Sequence, residues 1–177
     1  KVNGGKADSL NAGINICHSD LFVSIDADSI IEPDAILKLV KPFLEEKEKK
    51  VIGAGGVIRI VNSCEIERGH IREIKIPSKL LPRLQVLEYT RAFLLGRMAW
   101  SQLDGLMLIS GAMGIFDRET VIKAGGYNIK TVGEDMELVL RMRRYMAENE
   151  ENYEVTYVPD PLCWTEVPSD LKSMRKQ

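Results

Sequence analysis

The stretch Phe22-Val23-Ser24-Ile25-Asp26-Ala27-Asp28-Ser29 constrains this chain more than any other, because an apolar run stops there on two carboxylates one residue apart. Leu21 to Ile25 has the length and β-branched content of a buried strand. The aspartates then fall at its carboxyl end, where open α/β sheets place their ligands. Alternate residues of an extended segment point the same way, so Asp26 and Asp28 can share one task. Two hard oxygen donors on one side suit Mg²⁺ or Mn²⁺, whose other positions go to water and substrate phosphate. The plainer alternative is a solvated turn, since Asp and Ser are ordinary turn residues. A phosphatase with an aspartate nucleophile also starts with a strand and D-x-D, but continues as D-x-D-G-T/V, whereas Ser29 and Ile30 follow here. A calcium loop wants an oxygen ligand and then a glycine where Ile30 and Ile31 stand.

The rest of the chain supplies alternating helices and strands. Lys6 to Cys17 reads as a helix with Ala7, Leu10, Ala12, Ile14 and Ile16 available to a core. Glu32-Pro33-Asp34 opens a second helix, with Ile36, Leu37, Leu39, Val40 and Phe43 as its buried stripe. Val51 to Val61 reads as a strand in which Gly53, Gly55 and Gly56 permit close approach or a bulge. Asn62 to Pro82 loses all pattern. Arg83 to Asp104 regains helical spacing through Leu84, Val86, Leu87, Tyr89, Phe93, Leu94 and Met98, a stripe that either packs inward or forms a docking face. Leu106 to Phe116 is strand material broken at Ser110-Gly111, and Arg118 to Ala124 is a short helix closed by Gly125-Gly126. Gly133-Glu134-Asp135 opens a helix to about Glu148, Tyr153 to Val158 alternates as a strand that Asp160-Pro161 ends, and Ser169-Asp170 begins a last helix. This alternation predicts an α/β sandwich on a mainly parallel sheet flanked by helices.

Composition removes several function classes. With 24 basic and 26 acidic residues the net charge is −2, which provides no electrostatic footprint for nucleic acid. The longest nearly apolar run, Gly105 to Phe116, falls short of the ~18 residues that indicate a membrane span, so the chain reads as soluble. Cys17, Cys64 and Cys163 are odd in number and widely spaced, which argues for a reducing compartment and against zinc spacing with His18 or His70. Lys1 to Gly5 looks neither like a signal peptide nor like the start of a domain, so the chain reads as cut from a longer one.

Four stations stand in order: Lys6-Ala7-Asp8-Ser9-Leu10-Asn11, Asp26-Ala27-Asp28, Ser110-Gly111-Ala112 and Gly133-Glu134-Asp135. Together they resemble the processive family 2 glycosyltransferases with a GT-A fold, the group containing cellulose, hyaluronan and poly-N-acetylglucosamine synthases. The resemblance covers nearly all 177 residues, and Leu162 to Pro168 followed by a helix ending Lys176-Gln177 looks like the approach to the family's Q-x-x-R-W. It implies one partial catalytic domain over residues 1–177, a GT-A-like nucleotide-diphospho-sugar transferase whose N-terminal strands are missing.

By the same resemblance Lys6, Asn11, Asp26 and Asp28 match nucleotide-sugar contacts, with Asp28 as the metal ligand for Mg²⁺ or Mn²⁺. Asp135 matches the general base and Glu134 its neighbour; on spacing alone the pair reads equally as a helix cap. Ser110, Gly111 and Gln177 match acceptor-binding stations, although Ile109 replaces the usual Cys and Gly133 the usual Thr. The implied activity is metal-dependent transfer from a UDP-sugar to a saccharide acceptor, at the cytoplasmic face of the inner membrane, held there by segments outside this chain. The isolated fragment is expected to be inactive and prone to self-association along an unpaired sheet flank. A catalytically silent nucleotide-sugar-binding module and an aspartate-dependent phosphatase are the alternatives.

Overall fold

The computed structural model describes residues 4–46 and 48–175. Helix α1 (Gly5–Ile16) leads into β1 (Leu21–Ile25), then β2 (Ile30–Ile31), α2 (Ala35–Leu44) and the long strand β3 (Lys50–Ile60). A hairpin of β4 (Glu65–Glu67) and β5 (His70–Glu73) follows. The patternless stretch thus folds locally, turning through Arg68 and Gly69 at φ 51° and 80°. Next come α3 (Leu80–Tyr89), a π-helical segment (Thr90–Gly96) and α4 (Arg97–Gln102) in unbroken succession. The chain ends through β6 (Met113–Asp117), α5 (Arg118–Lys123), α6 (Glu134–Glu148), β7 (Tyr153–Thr165) and α7 (Leu171–Met174).

The main sheet has the order β1-β6-β3-β7-β2. It is mixed rather than mainly parallel: β3 and β7 pair in parallel, while β6 runs against both β1 and β3, and β2 against β7. The cause is the connection between β3 and β6, which returns the chain to the end of the sheet it left and so reverses β6. Strands β1, β3 and β7 therefore finish, and β6 begins, at one common end. Among the described residues β1 pairs with β6 alone and forms an edge, which is why Leu21, Phe22, Val23 and Ile25 are half-buried rather than wholly buried.

Asp160-Pro161 does not end β7. The register slips between Gly56 and Val57 and again between Val57 and Ile58, so Pro161 sits in an irregularity of the ladder, where its missing N–H costs little. The glycines of β3 provide close approach. A Cβ on Gly56 would lie 2.1 Å from Leu162 Cδ1 and 3.1 Å from the Val158 carbonyl, while one on Gly53 would lie 2.9 Å from Ile109 Cδ1.

The core gathers Leu39, Ile52, Ile58, Ile109, Met113, Ile115, Leu138, Met142 and Leu162 between the sheet and its helices. Helix α2 presents Ala35 and Leu39 to it and leaves Ile36 and Leu37 exposed, so its inward face is rotated from the expected stripe. Ile16, Met136 and Leu140 are likewise outside. On the helix through residues 80–102, Phe93 is 6% exposed, but Leu87, Leu94 and Met98 are 67%, 38% and 37% exposed. That stripe is largely an outward apolar face.

Replacing Gly56 by Ala should destabilise the fold by about 1–3 kcal/mol, since Leu162 is wholly buried and the Val158 carbonyl is backbone. Urea denaturation of wild type and Gly56→Ala measures it, and an unchanged midpoint would show that the ladder relaxes around the methyl group.

Candidate active site

The common strand end brings distant stations together. Lys6, in the first turn of α1, forms an ion pair with Asp26, donates to the Gly111 carbonyl at 3.3 Å and lies 3.7 Å from Glu134 Oε1. Gly111 returns the connection: its N–H donates to Asp135 Oδ2 at 3.2 Å. The backbone N–H of Asp26 donates to the Ala112 carbonyl at 3.2 Å, which fastens the segment after β1 to the turn before β6. These groups line a cavity of about 290 Å³ whose polar floor is Lys6, Asp26, Ser110, Gly111, Glu134 and Asp135 and whose apolar wall includes Ile58, Tyr89 and Phe93.

Each member is held for a local reason. Ile109 is buried in a notch of glycines: a Cβ on Gly53, Gly55 or Gly114 would stand 2.9, 3.2 or 2.4 Å from its side chain. This anchor sets the Ser110-Gly111 turn, and Gly111 itself lies so near Lys6 that a Cβ there would be 2.8 Å from Nζ. Glu134 and Asp135 open α6, where the helix N-terminus favours negative charge. Asp135 Oδ1 accepts from the Met136 N–H at 2.8 Å while Oδ2 reaches Gly111, so one carboxylate both steadies the helix start and faces the cavity. Arg97 covers Phe93 at 3.7 Å, and its burial lowers the guanidinium pKa from the usual value.

The two aspartates of D-x-D part company. The strand stops at Ile25, and a turn closed by the Ser29 N–H on the Asp26 carbonyl at 3.1 Å replaces the extended geometry. Asp26 therefore lines the cavity, whereas Asp28 is exposed on the turn and is not among the residues that line it. Among the described residues no group of three or more His, Cys, Asp or Glu side chains is arranged to hold a metal ion. A hard divalent cation would rest on Asp28, with Asp26 nearby, and fits this donor set only with substrate phosphate and water completing its shell.

Asn11 does not line the cavity; its amide is engaged by the backbone of Tyr127, donating at 2.8 Å and accepting at 2.7 Å. Gln177 lies outside the described residues. Ile109, Tyr89, Phe93 and Tyr127 escaped sequence reasoning. Only Ile109 had a signal, in the glycines that flank it on β3 and β6.

The family model described as glycosyltransferase-like family 2 matches residues 1–177. The chain belongs to this family. Poly-beta-1,6-N-acetyl-D-glucosamine synthase of Staphylococcus epidermidis RP62A is 26% identical over 177 residues, covering 100% of this chain and 38% of the relative. The enzyme of the same name from Staphylococcus aureus COL is 29% identical over 177 residues, covering 99% and 37%. The chain thus spans little more than a third of these curated relatives. In fold it is similar to the mannosyltransferase PcManGT from Pyrobaculum calidifontis, solved with GDP-Man and Mn2+, at a TM-score of 0.58 and 20% identity over 94% of this chain and 38% of that one. A GT-A architecture follows, and the phosphatase alternative finds no support in the family.

Burial pushes the Tyr127 phenol from 10.0 up to about 12, against a hydrogen bond with Ser24 that acts the other way. Because the folded value is the higher one, this contribution to stability is intact below pH 10.0 and is lost as pH rises towards about 12. Denaturation midpoints for wild type and Tyr127→Phe should therefore converge over that interval. A difference independent of pH would show that the phenol ionises freely in the folded protein.

Proposed function

We propose that this chain carries the catalytic centre of a transferase that moves a sugar from a UDP-sugar to a saccharide acceptor with the help of Mg²⁺ or Mn²⁺. The observation that supports it is the convergence of Lys6, Asp26, Gly111, Glu134 and Asp135, from four separate stretches, on one polar cavity. The polysaccharide synthases among its relatives agree with it in reaction class.

The chemistry follows from the side chains. The acceptor hydroxyl enters between Ser110, Gly111 and Asp135, and Asp135 Oδ2 takes its proton as the oxygen bonds to the anomeric carbon. At 3.2 Å the bond from Gly111 to that oxygen is long enough to yield to a hydroxyl donor. The bond from the anomeric carbon to the diphosphate breaks in the same step, and Lys6 faces the charge left behind. Three carboxylates, Asp26, Glu134 and Asp135, oppose one ammonium in the cavity, so a diphosphate approaches a net negative surface. A divalent cation held by Asp28 and Asp26 would offset that charge and stabilise the departing diphosphate.

The exposed Leu87, Leu94 and Met98 support placement of the helix through residues 80–102 against a membrane or membrane-embedded part of the parent protein. No helix among the described residues is long and apolar enough to cross a bilayer itself.

The test uses the full-length parent protein with a panel of UDP-sugars and either metal. Asp135→Asn should lower turnover by ~10² or more with donor affinity nearly unchanged. Asp28→Asn should abolish metal-dependent transfer while the far-ultraviolet dichroism stays native. Binding of UDP-sugars without turnover by the wild type would instead establish a silent binding module, and undiminished turnover by Asp28→Asn would remove Asp28 from the metal site.

A further inference from the structure

We infer that Asn11 and Tyr127 form a positioning clasp that sets the spacing of Lys6, Asp26 and Asp135; this rests on the catalytic reading of the cavity. Lys6 and Asn11 are five residues apart on α1, which separates them by about 140° around the helix, so they cannot serve one ligand. Lys6 faces the cavity. Asn11 faces the loop after α5, where its amide donates to the Tyr127 carbonyl at 2.8 Å and accepts from the Tyr127 N–H at 2.7 Å. Only a primary amide offers a donor and an acceptor on one short planar group, which is what a single residue's N–H and C=O require.

The loop is shaped to receive it. Gly125 and Gly126 have φ of 93° and 69°, and a Cβ on Gly126 would lie 2.6 Å from Asn11 Oδ1. From the opposite side Arg141 donates to the carbonyls of Ala124 and Gly126 at 2.7 and 2.6 Å, and Glu137 braces it at 2.7 Å. Arg141 and Glu137 belong to α6, whose first residues are Glu134 and Asp135. Tyr127 itself is 5% exposed, and its hydroxyl bonds to Ser24, two residues before Asp26 on the strand side. One residue therefore touches the helix that carries Lys6, the strand that delivers Asp26 and the loop riveted to the helix that carries Asp135. Asn11 acts on the reaction through that residue and does not touch substrate.

The experiment compares wild-type full-length protein with Asn11→Ala, Asn11→Asp and Gly126→Ala. The expected result is a fall in kcat of about tenfold or more, equal to ~1.4 kcal/mol of barrier, with UDP affinity from calorimetry unchanged. A second measurement does not depend on activity: the rate of Lys6 acylation, followed by mass spectrometry, should rise in the variants while Lys50, paired with Asp117 at 2.8 Å on the far side of the sheet, keeps its rate. UDP affinity falling together with kcat would make Asn11 a nucleotide contact and overturn the clasp. Acylation of Lys6 and Lys50 rising together, or Lys6 unchanged, would reduce it to ordinary fold stabilisation. If the wild type transfers no sugar the catalytic reading fails separately, and the acylation rates still decide whether the clasp holds Lys6 in place.

Discussion

Ile109 can occupy its place only because Gly53, Gly55 and Gly114 have no side chains there. That packing draws β3, β6 and the segment before β6 into close approach, and the Ser110-Gly111 turn is carried to the strand ends as a result. The site depends on this in both directions: the Gly111 carbonyl receives Lys6 and its N–H reaches Asp135. Apolar packing a few residues away thus decides where charged groups meet, in keeping with interiors that transmit small volume changes instead of absorbing them.

The electrostatics are arranged around a single flexible cation. Lys6 is 40% exposed, which keeps it able to leave Asp26 when a stronger anion arrives, whereas the carboxylates opposite it are fixed by backbone donors and a helix start. Rigid acids and one mobile base suit a pocket that must admit and then release a diphosphate. The outward apolar face formed by Leu87 and its neighbours lies on the same helix that lends Tyr89 and Phe93 to the cavity wall. Whatever covers that face also touches the back of the site.

Much of this was legible from residue order. The strand before Asp26, the helix opening at Glu134 and the glycines that allow close approach all follow from local chemistry, and the four stations led to the family before any coordinates. Strand direction was not legible, because β6 is reversed by the route of a long connection and not by its own residues. The separation of Asp26 from Asp28 was missed for a similar reason: alternation holds only while the strand continues, and it stops at Ile25. Asp160-Pro161 read as a strand end because a ladder slip that tolerates proline has no signature in one strand alone. Tyr127 had no signal at all, since its role is made by partners more than a hundred residues away along the chain.

The π-helical segment Thr90–Gly96 bears on how this region can vary in length. A π turn is an α turn with one residue more than the regular repeat. Removing one residue within it would restore regular winding and turn everything beyond by about 100° relative to what precedes. Phe93 and Arg97 would lose their stacking, and Gly105, whose N–H donates to the Trp100 carbonyl at 2.8 Å, would be carried off the line that leads to Ile109. Loops elsewhere in the molecule can lengthen or shorten with little effect. This helix is held to its residue count.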